Sequence, residues 1–407
     1  MKKGWPTKTL AEVCQIKPPK SEARDKVSAS SLVSFLPMED MGIDVKFVQA
    51  TQTKPLSAVV GSYTYFADGD VLLAKITPCF ENGKLGIADG LKNGIGFGSS
   101  EYFVFRPDAT VSKEWLYYFL SRETFRVEGA ARMSGAVGHK RVSKEFIEDY
   151  PIPVPPLAEQ QRIVGLLDEA FEGLATAKAN AEKNLQNTDA LFESHLNAVF
   201  TKRGPGWKST TLGAEIDLLA GFAFKSAQYT NDDEGIRLLR GDNIIQGCLR
   251  WDDVKRWPTN DTEEYDRYQL EEGDVVLAMD RPWVKAGLKH ATISANDLPC
   301  LLVQRTARLR GGANLDNRFL KLLIGSAAFT SHILGVQTGI GVPHISAQQI
   351  KDFVFARPPV TEQRRLADNL ESLREETQRL ARLYERKLAA LEELKKSLLD
   401  QAFTGEL

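Results

Sequence analysis

Four cysteines and five histidines are the residues of this 407-residue chain best suited to metal ligation or nucleophilic catalysis. Neither set is spaced for it. Cys14, Cys79, Cys248 and Cys300 stand alone, with no Cys-x-x-Cys pair and no histidine at ligand spacing. They read as reduced thiols, buried or incidental. His139, His195, His290, His332 and His344 form no His-Glu-x-x-His. No Gly-x-x-x-x-Gly-Lys-Ser/Thr is present to cradle a nucleotide. The Gly-x-Gly triplets at 94–96, 96–98 and 339–341 sit in no dinucleotide fingerprint and read as turns. The amino-methyltransferase signature, Asp or Asn before Pro-Pro and an aromatic, is missing; the Pro-Pro pairs lie in KPPK, VPPL and RPPV. A triad assembled only in space stays open. The chemistry left is that of hydrogen-bond donors in loops, such as His139-Lys140-Arg141 after a glycine-rich turn.

Composition sets the bounds for whatever positions those donors. The chain is 43% hydrophobic and 26% charged, an ordinary globular mixture long enough for two or more domains. Its net charge of −2 gives no overall basic signature, but charge is segregated. Residues 301–350 carry five Lys/Arg against one acid, and residues 251–300 carry six against eleven. Local solvated faces would produce the same segregation. No apolar stretch follows the basic start, and no run of about 18 apolar residues occurs. These features suggest a cytoplasmic chain.

Self-comparison shows two copies end to end. GWPTKTLAEVCQI at 4–16 matches GWKSTTLGAEIDL at 206–218, and DGDVLLAKITP at 68–78 matches EGDVVLAMDRP at 272–282. SGAVGHKRVS at 134–143 lies opposite TGIGVPHIS at 338–346, and PPLAEQQR at 155–162 opposite PPVTEQRR at 358–365. In each copy, GDVLLAKI or GDVVLAM and EYFVFRP or LVQRTARLR read as strands. A helical stretch follows, KEWLYYFLSRETFRVEGA or NRFLKLLIGSAAFTSHIL. Prolines then lead into a helix of about 45 residues.

The second of these long helices carries coiled-coil spacing. Leu366, Leu373, Leu380, Lys387 and Leu394 fall at d, and Leu370, Thr377, Tyr384, Leu391 and Leu398 at a. The first helix has a thinner seam, with Ile163, Ala170, Ala177, Asn184 and Leu191 at d and Leu167, Leu174, Ala181, Thr188 and His195 at a. Large residues facing small ones suit close helix pairing. His195 reads as a packed seam residue. Packing of each helix on its own globular half is the competing arrangement. The prolines hold an extended approach, and the last of them suits a first helical turn. Two heads on an antiparallel two-helix rod, with a pseudo-two-fold axis, follow from this order. The expected fold is α+β: a mixed α/β domain at 1–154, a spacer helix at 155–203, a second domain at 204–357 and a C-terminal helix at 358–407.

Together these residues resemble the specificity subunit of type I restriction–modification systems. The likeness rests on Glu159, Gln160 and Arg162, on Glu362, Gln363 and Arg365, and on the C-terminal Phe403-Thr404-Gly405-Glu406-Leu407. The first copy keeps Phe200 and Thr201 but loses the Gly-Glu-Leu. The resemblance implies one target-recognition domain per half of a two-part, asymmetric double-stranded DNA site, with the helices setting the gap. It implies docking of two methyltransferase subunits, and restriction subunits as a further option. It also implies no catalytic site in this chain. S-adenosylmethionine, ATP and Mg are then expected only in partner subunits. A protein-only scaffold with two ligand-binding heads is the competing reading. Glu159, Gln160 and their counterparts read either as helix-start caps or as contacts to a partner.

The residues expected to touch DNA are donors in loops where the copies diverge. In the first copy they are Lys75, Thr77, Asn82, Lys84, His139, Lys140 and Arg141. In the second they are Arg281, Trp283, Lys285, Lys289 and His344. Arg and Lys can bind guanine O6/N7 or phosphate; each is equally readable as ordinary loop charge. Trp5 and Trp207 read as core anchors rather than base-stacking platforms.

Overall fold

In a computed structural model of the chain, residues 4–136, 138–259, 263–339 and 342–407 are described. Val137, beside the His139-Lys140-Arg141 run, and Ile340 and Gly341 of the third Gly-x-Gly triplet lie outside them. The architecture is α+β, with two compact units. One comprises residues 1–182 and 385–407, the other residues 183–384.

Each repeat opens on a short strand that pairs antiparallel with the strand just before its long helix. Thr7–Thr9 pairs with Pro151–Pro153, and Lys208–Thr211 with Val354–Arg357. The start and end of each globular part are thereby held together. Trp5 packs edge-on against buried Trp115, with centroids 6.0 Å apart.

The Gly-Asp-Val segments supply the strands Val71–Ala74 and Val275–Ala278. All eight residues are buried, so these strands are apolar on both faces. The turn before each strand needs a left-handed residue, and Gly69 and Gly273 both adopt φ +89°. The following Asp70 and Asp274 are buried and accept the Ala67 and Glu271 N–H groups that close the turn. Each also receives a forked arginine from the adjacent strand, Arg106 or Arg310.

In the first unit the sheet order is Cys14–Ile16, Tyr102–Pro107, Val71–Ala74, Leu85–Ala88, Phe47–Val48. A second sheet runs Gln52–Pro55, Leu32–Leu36, Ile95–Gly98, Thr64–Ala67. In the second unit one sheet runs Ile216–Ala220, Thr306–Gly311, Val275–Ala278, His290–Thr292, and another Lys255–Trp257, Ile236–Leu239, Cys300–Leu302. The LVQRTARLR stretch is therefore two strands in two sheets, parted by Arg305 at φ +67°. Each helical stretch that follows is also two helices. Lys113–Ser121 and Glu123–Ala131 break at Arg122, whose Nε donates back to the Phe119 carbonyl. Asn317–Ile324 and Ala327–Val336 break at Ser326, whose hydroxyl accepts the Phe329 N–H and caps the second helix.

The long helices are Leu157–Thr201 and Val360–Thr404, 45 residues each. In the first unit their segments run antiparallel: Lys178 pairs with Glu392, and Arg162 donates to the Leu407 carbonyl. Phe403 enters the core there, with centroids 4.3 Å from Trp115 and 5.3 Å from Phe119. In the second unit the repeat-equivalent Phe200 meets Phe319, and Phe192, Leu196, Ala367 and Leu370 cluster.

The strict heptad holds over only part of each helix, with Ala181, Thr188 and Thr377, all at a, buried. Ile163, Leu167 and Leu370 are buried, while Leu174, Leu366, Leu373, Leu380, Leu391 and Leu398 are half-buried. But Leu191 is 43% exposed and Leu394 47% exposed, so neither is a seam residue. His195 is also exposed, its ring nitrogen facing the Leu191 carbonyl rather than a packed interface. Beyond Thr188 the buried stripe passes instead through Phe192 and Leu196, and in the second helix through half-buried Leu388 to buried Leu399 and Ala402. A straight helix of 3.6 residues per turn drifts about 20° per heptad from a 3.5 repeat, which moves the stripe by one residue over about five heptads. The drift gives a test. Leu370→Asp, which buries a charge, should cost about 3 kcal/mol or more in chemical denaturation, whereas Leu394→Asp should change stability by less than about 0.5 kcal/mol. Equal losses would restore the strict heptad.

Candidate nucleic-acid interface

Several of the expected donors, Lys75, Thr77, Lys140, Arg141, Arg281 and His344, lie on three chain segments that meet at the end of each Gly-Asp-Val strand. In the first unit, the Lys75 N–H donates to the Glu101 carbonyl, Thr77 N–H to Lys140, and Val142 N–H to Lys75. In the second, the Met279 N–H donates to the Arg305 carbonyl, Arg281 N–H to Pro343, and Ile345 N–H to Met279. These three bonds correspond one for one across the repeat. An antiparallel bridge completes each junction, Ile76 to Arg141 or Asp280 to His344. The backbone is thus one design used twice.

The side chains on it differ. In the first unit Arg141 donates its Nε and Nη2 to the two oxygens of Glu101, at 2.9 and 2.8 Å. Its Nη1 donates to the His139 carbonyl. Lys75 stands 3.9 Å from the same carboxylate. The Arg141 hydrogen bonds hold the Glu101 carboxyl below its usual range. Burial lowers the Lys75 ammonium despite the nearby acid. In the second unit the acid is Asp280. It receives Arg305 at 3.2 Å and lies 2.6 Å from His344 Nδ1. Glu101, Asp280 and Arg305 were not among the residues singled out from sequence. The only signal for them was adjacency: Asp280 directly precedes Arg281, and Glu101 opens EYFVFRP.

Among the described residues, the side chains of the other expected donors form no ion pair with Glu101 or Asp280. Lys140 and His139 are exposed on the 134–141 hairpin, and Asn82 on the loop before Leu85–Ala88. Thr77 spends its hydroxyl on Glu81. Lys84 is turned inward, donating to the Met38 carbonyl at 2.6 Å, so its charge fastens the domain rather than facing a ligand. Trp283 and Lys285 are exposed on the small hairpin Trp283–Val284/Gly287–Leu288. Arg281 is exposed at φ +45°, and Lys289 is half-buried, with burial lowering its ammonium. Among the described residues no cluster of three metal-ligating side chains occurs, and all four cysteines are free.

The Pro-Pro-x-x-Glu-Gln-x-Arg motif resolves into separate roles. Gln160 is fully buried. Its amide donates to the Thr110 and Pro155 carbonyls and accepts the Ser112 N–H. Gln363 repeats this with Asn314, Pro358 and the Asp316 N–H. Ser112 and Asp316 cap the helices Lys113–Ser121 and Asn317–Ile324. Each glutamine thus ties the first turn of a long helix to its own domain. Glu159 and Glu362 pair along the helix surface with Arg162 and Arg365.

A family model described as the type I restriction modification DNA specificity domain matches residues 2–185. The chain is 31% identical to the type I restriction enzyme EcoAI specificity subunit of Escherichia coli, over 91% of this chain and 77% of that protein. It is 26% identical to the MjaVIII specificity subunit of Methanocaldococcus jannaschii, over 72% of this chain and 70% of that one. Its fold resembles the HsdS subunit of Thermoanaerobacter tengcongensis, with a TM-score of 0.70 and 19% identity over 100% of this chain and 98% of the other. A chain from a structural study of complex assembly and conformational transition in the type I R-M system gives 0.78, also at 19% identity, over 100% and 99%. The class is thus a duplicated DNA-specificity protein. The chain belongs to the family of type I restriction–modification specificity subunits.

The glutamine latch is directly testable. Gln160→Leu keeps bulk but leaves two carbonyls and one N–H buried without partners, at about 1–3 kcal/mol each before relaxation. Unfolding followed through the first unit should show a loss of at least about 2 kcal/mol. A neutral result would reduce the latch to a packing contact.

Proposed function

We propose that the chain reads a two-part, asymmetric DNA target, with one junction per half-site, and carries no catalytic centre itself. The observation that carries this reading is the duplicated junction: one backbone arrangement, two different sets of donors. Duplication matches the two-fold character of a DNA duplex, and divergence of the donors predicts two different half-sites. One junction can contribute only a few base contacts, each worth about 1–3 kcal/mol of discrimination. Linking two readers makes the second contact intramolecular. The long helices would set the unread gap and carry methyltransferase subunits, two in number by the pseudo-symmetry. Restriction subunits would join through the same assembly. S-adenosylmethionine, ATP and Mg would belong to those partners. Flipping of the target adenine would likewise be the partner's task. Among the described residues no single helix is long and apolar enough to cross a membrane, and a cytoplasmic location suits a partner of DNA.

The full chain with its methyltransferase partner should be measured against duplexes bearing a two-part site. Lengthening the gap by one base pair should abolish tight binding; unchanged binding would overturn the ruler. A scaffold that binds only protein would show no steep salt dependence. Lys140→Ala should weaken binding to all duplexes alike and lower the salt slope by about 1. Lys84→Ala, whose ammonium is held by Met38, should leave both unchanged.

A further inference from the structure

The two junctions share a backbone and differ in where the acid sits. Glu101 and Arg305 occupy corresponding positions: the carbonyl of each accepts the N–H at the end of its Gly-Asp-Val strand. Arg141 and His344 also correspond, each bridged to the residue after that strand-end position, Ile76 or Asp280. The first unit therefore places its carboxylate just before the strand Tyr102–Pro107, and the second just after the strand Val275–Ala278. In both, a single carboxylate touches two basic side chains: Arg141 and Lys75 in one, Arg305 and His344 in the other.

We propose that these carboxylates, Glu101 and Asp280, are the specificity-determining positioning residues of their respective recognition domains. The inference rests on the DNA-reading role proposed above.

The physical argument concerns what an anchored cation can and cannot do. A free arginine on an exposed loop is a mobile positive charge, and phosphate oxygens satisfy it anywhere along a duplex. Glu101 takes one edge of the Arg141 guanidinium, and the His139 carbonyl takes a further N–H. An arginine has five N–H donors in a rigid fork. Three are thus engaged, and two remain, aimed in a direction fixed by the carboxylate. A fixed pair of donors suits two acceptors on one base edge, as guanine O6 and N7 provide in the major groove. The acid also repels phosphate, which weakens non-specific binding and widens the gap between right and wrong sequences. In the second unit Asp280 orients Arg305 and the His344 ring, a different donor geometry that calls for a different base pattern.

The test uses the full chain assembled with its methyltransferase subunits. The complex selects sites from a pool of random duplexes, read by methylation and by binding. Glu101→Gln should lower base discrimination on the order of tenfold at positions in one half-site, leave the other half unchanged, and strengthen non-specific binding at low salt. Asp280→Asn should do the same in the other half only. Arg141→Ala should affect the same base positions as Glu101→Gln, and Glu101→Asp should recover part of the discrimination. Restriction to one half separates positioning from general damage, because a misfolded unit would lose affinity for every duplex. If Glu101→Gln fails to fold, Arg141→Ala and Glu101→Asp decide: shifts at different positions from each other overturn the proposal. Unchanged discrimination in both acid variants, or equal relaxation of both halves, also overturns it. A wild-type complex that selects no two-part site would instead overturn the DNA-reading function, and this inference with it.

Discussion

A buried glutamine amide at the root of each long helix is the interaction on which the other features depend. Gln160 and Gln363 are both fully buried and make three hydrogen bonds each, all to backbone. A polar amide is expensive to bury unless all its partners are in place. The first helical turn, the preceding prolines and the cap of the neighbouring helix are therefore fixed together or not at all. A charged residue there would be costlier to bury, and an aliphatic one would leave backbone groups orphaned. The long helix leaves its domain in one direction because this amide permits no other.

The capped helix next to the latch carries that constraint into the core. Trp115 follows Ser112 by one turn, packs at a tilt against Phe403 and donates its indole N–H to the Pro153 carbonyl. In the second unit Phe319 holds the corresponding place against Phe200. The repeated phenylalanine at the helix ends therefore packs toward the core, while Thr201 stays exposed and Thr404 half-buried. The buried Gly-Asp-Val strand lies in the same core and ends at the donor junction. Latch, core and junction thus form one connected scaffold within each unit, and loop side chains vary on top of it.

That division of labour would let one fold serve two half-sites, as proposed. Backbone hydrogen bonds at the junction are indifferent to side-chain identity, so the frame survives while its charges are exchanged. Glu101 in one unit and Asp280 in the other show how far the exchange can go without disturbing the three bonds beneath it. A partner enzyme docking on the common frame would then need no knowledge of the sequence being read.

Much of this was legible in the linear chain. The repeat, the buried Gly-Asp-Val strands, the length of the two helices and the absence of ligand or nucleophile spacing are local patterns, and local patterns survive in one dimension. Arg141 and Lys140 were visible as donors for the same reason. Glu101, Asp280 and Arg305 were not, because the junction joins residues far apart in sequence: 40 positions separate Arg141 from Glu101, and 64 separate His344 from Asp280. Lys84 looked like a free donor until the fold brought the Met38 carbonyl to it. The one-residue drift that exposes Leu191 and Leu394 also needed three dimensions, since a heptad written on paper does not record that an unsupercoiled helix turns every 3.6 residues. Composition and periodicity determined that there would be two similar units and two long helices. Only tertiary structure decided which charges meet, because contact between distant residues is a property of packing and not of spacing.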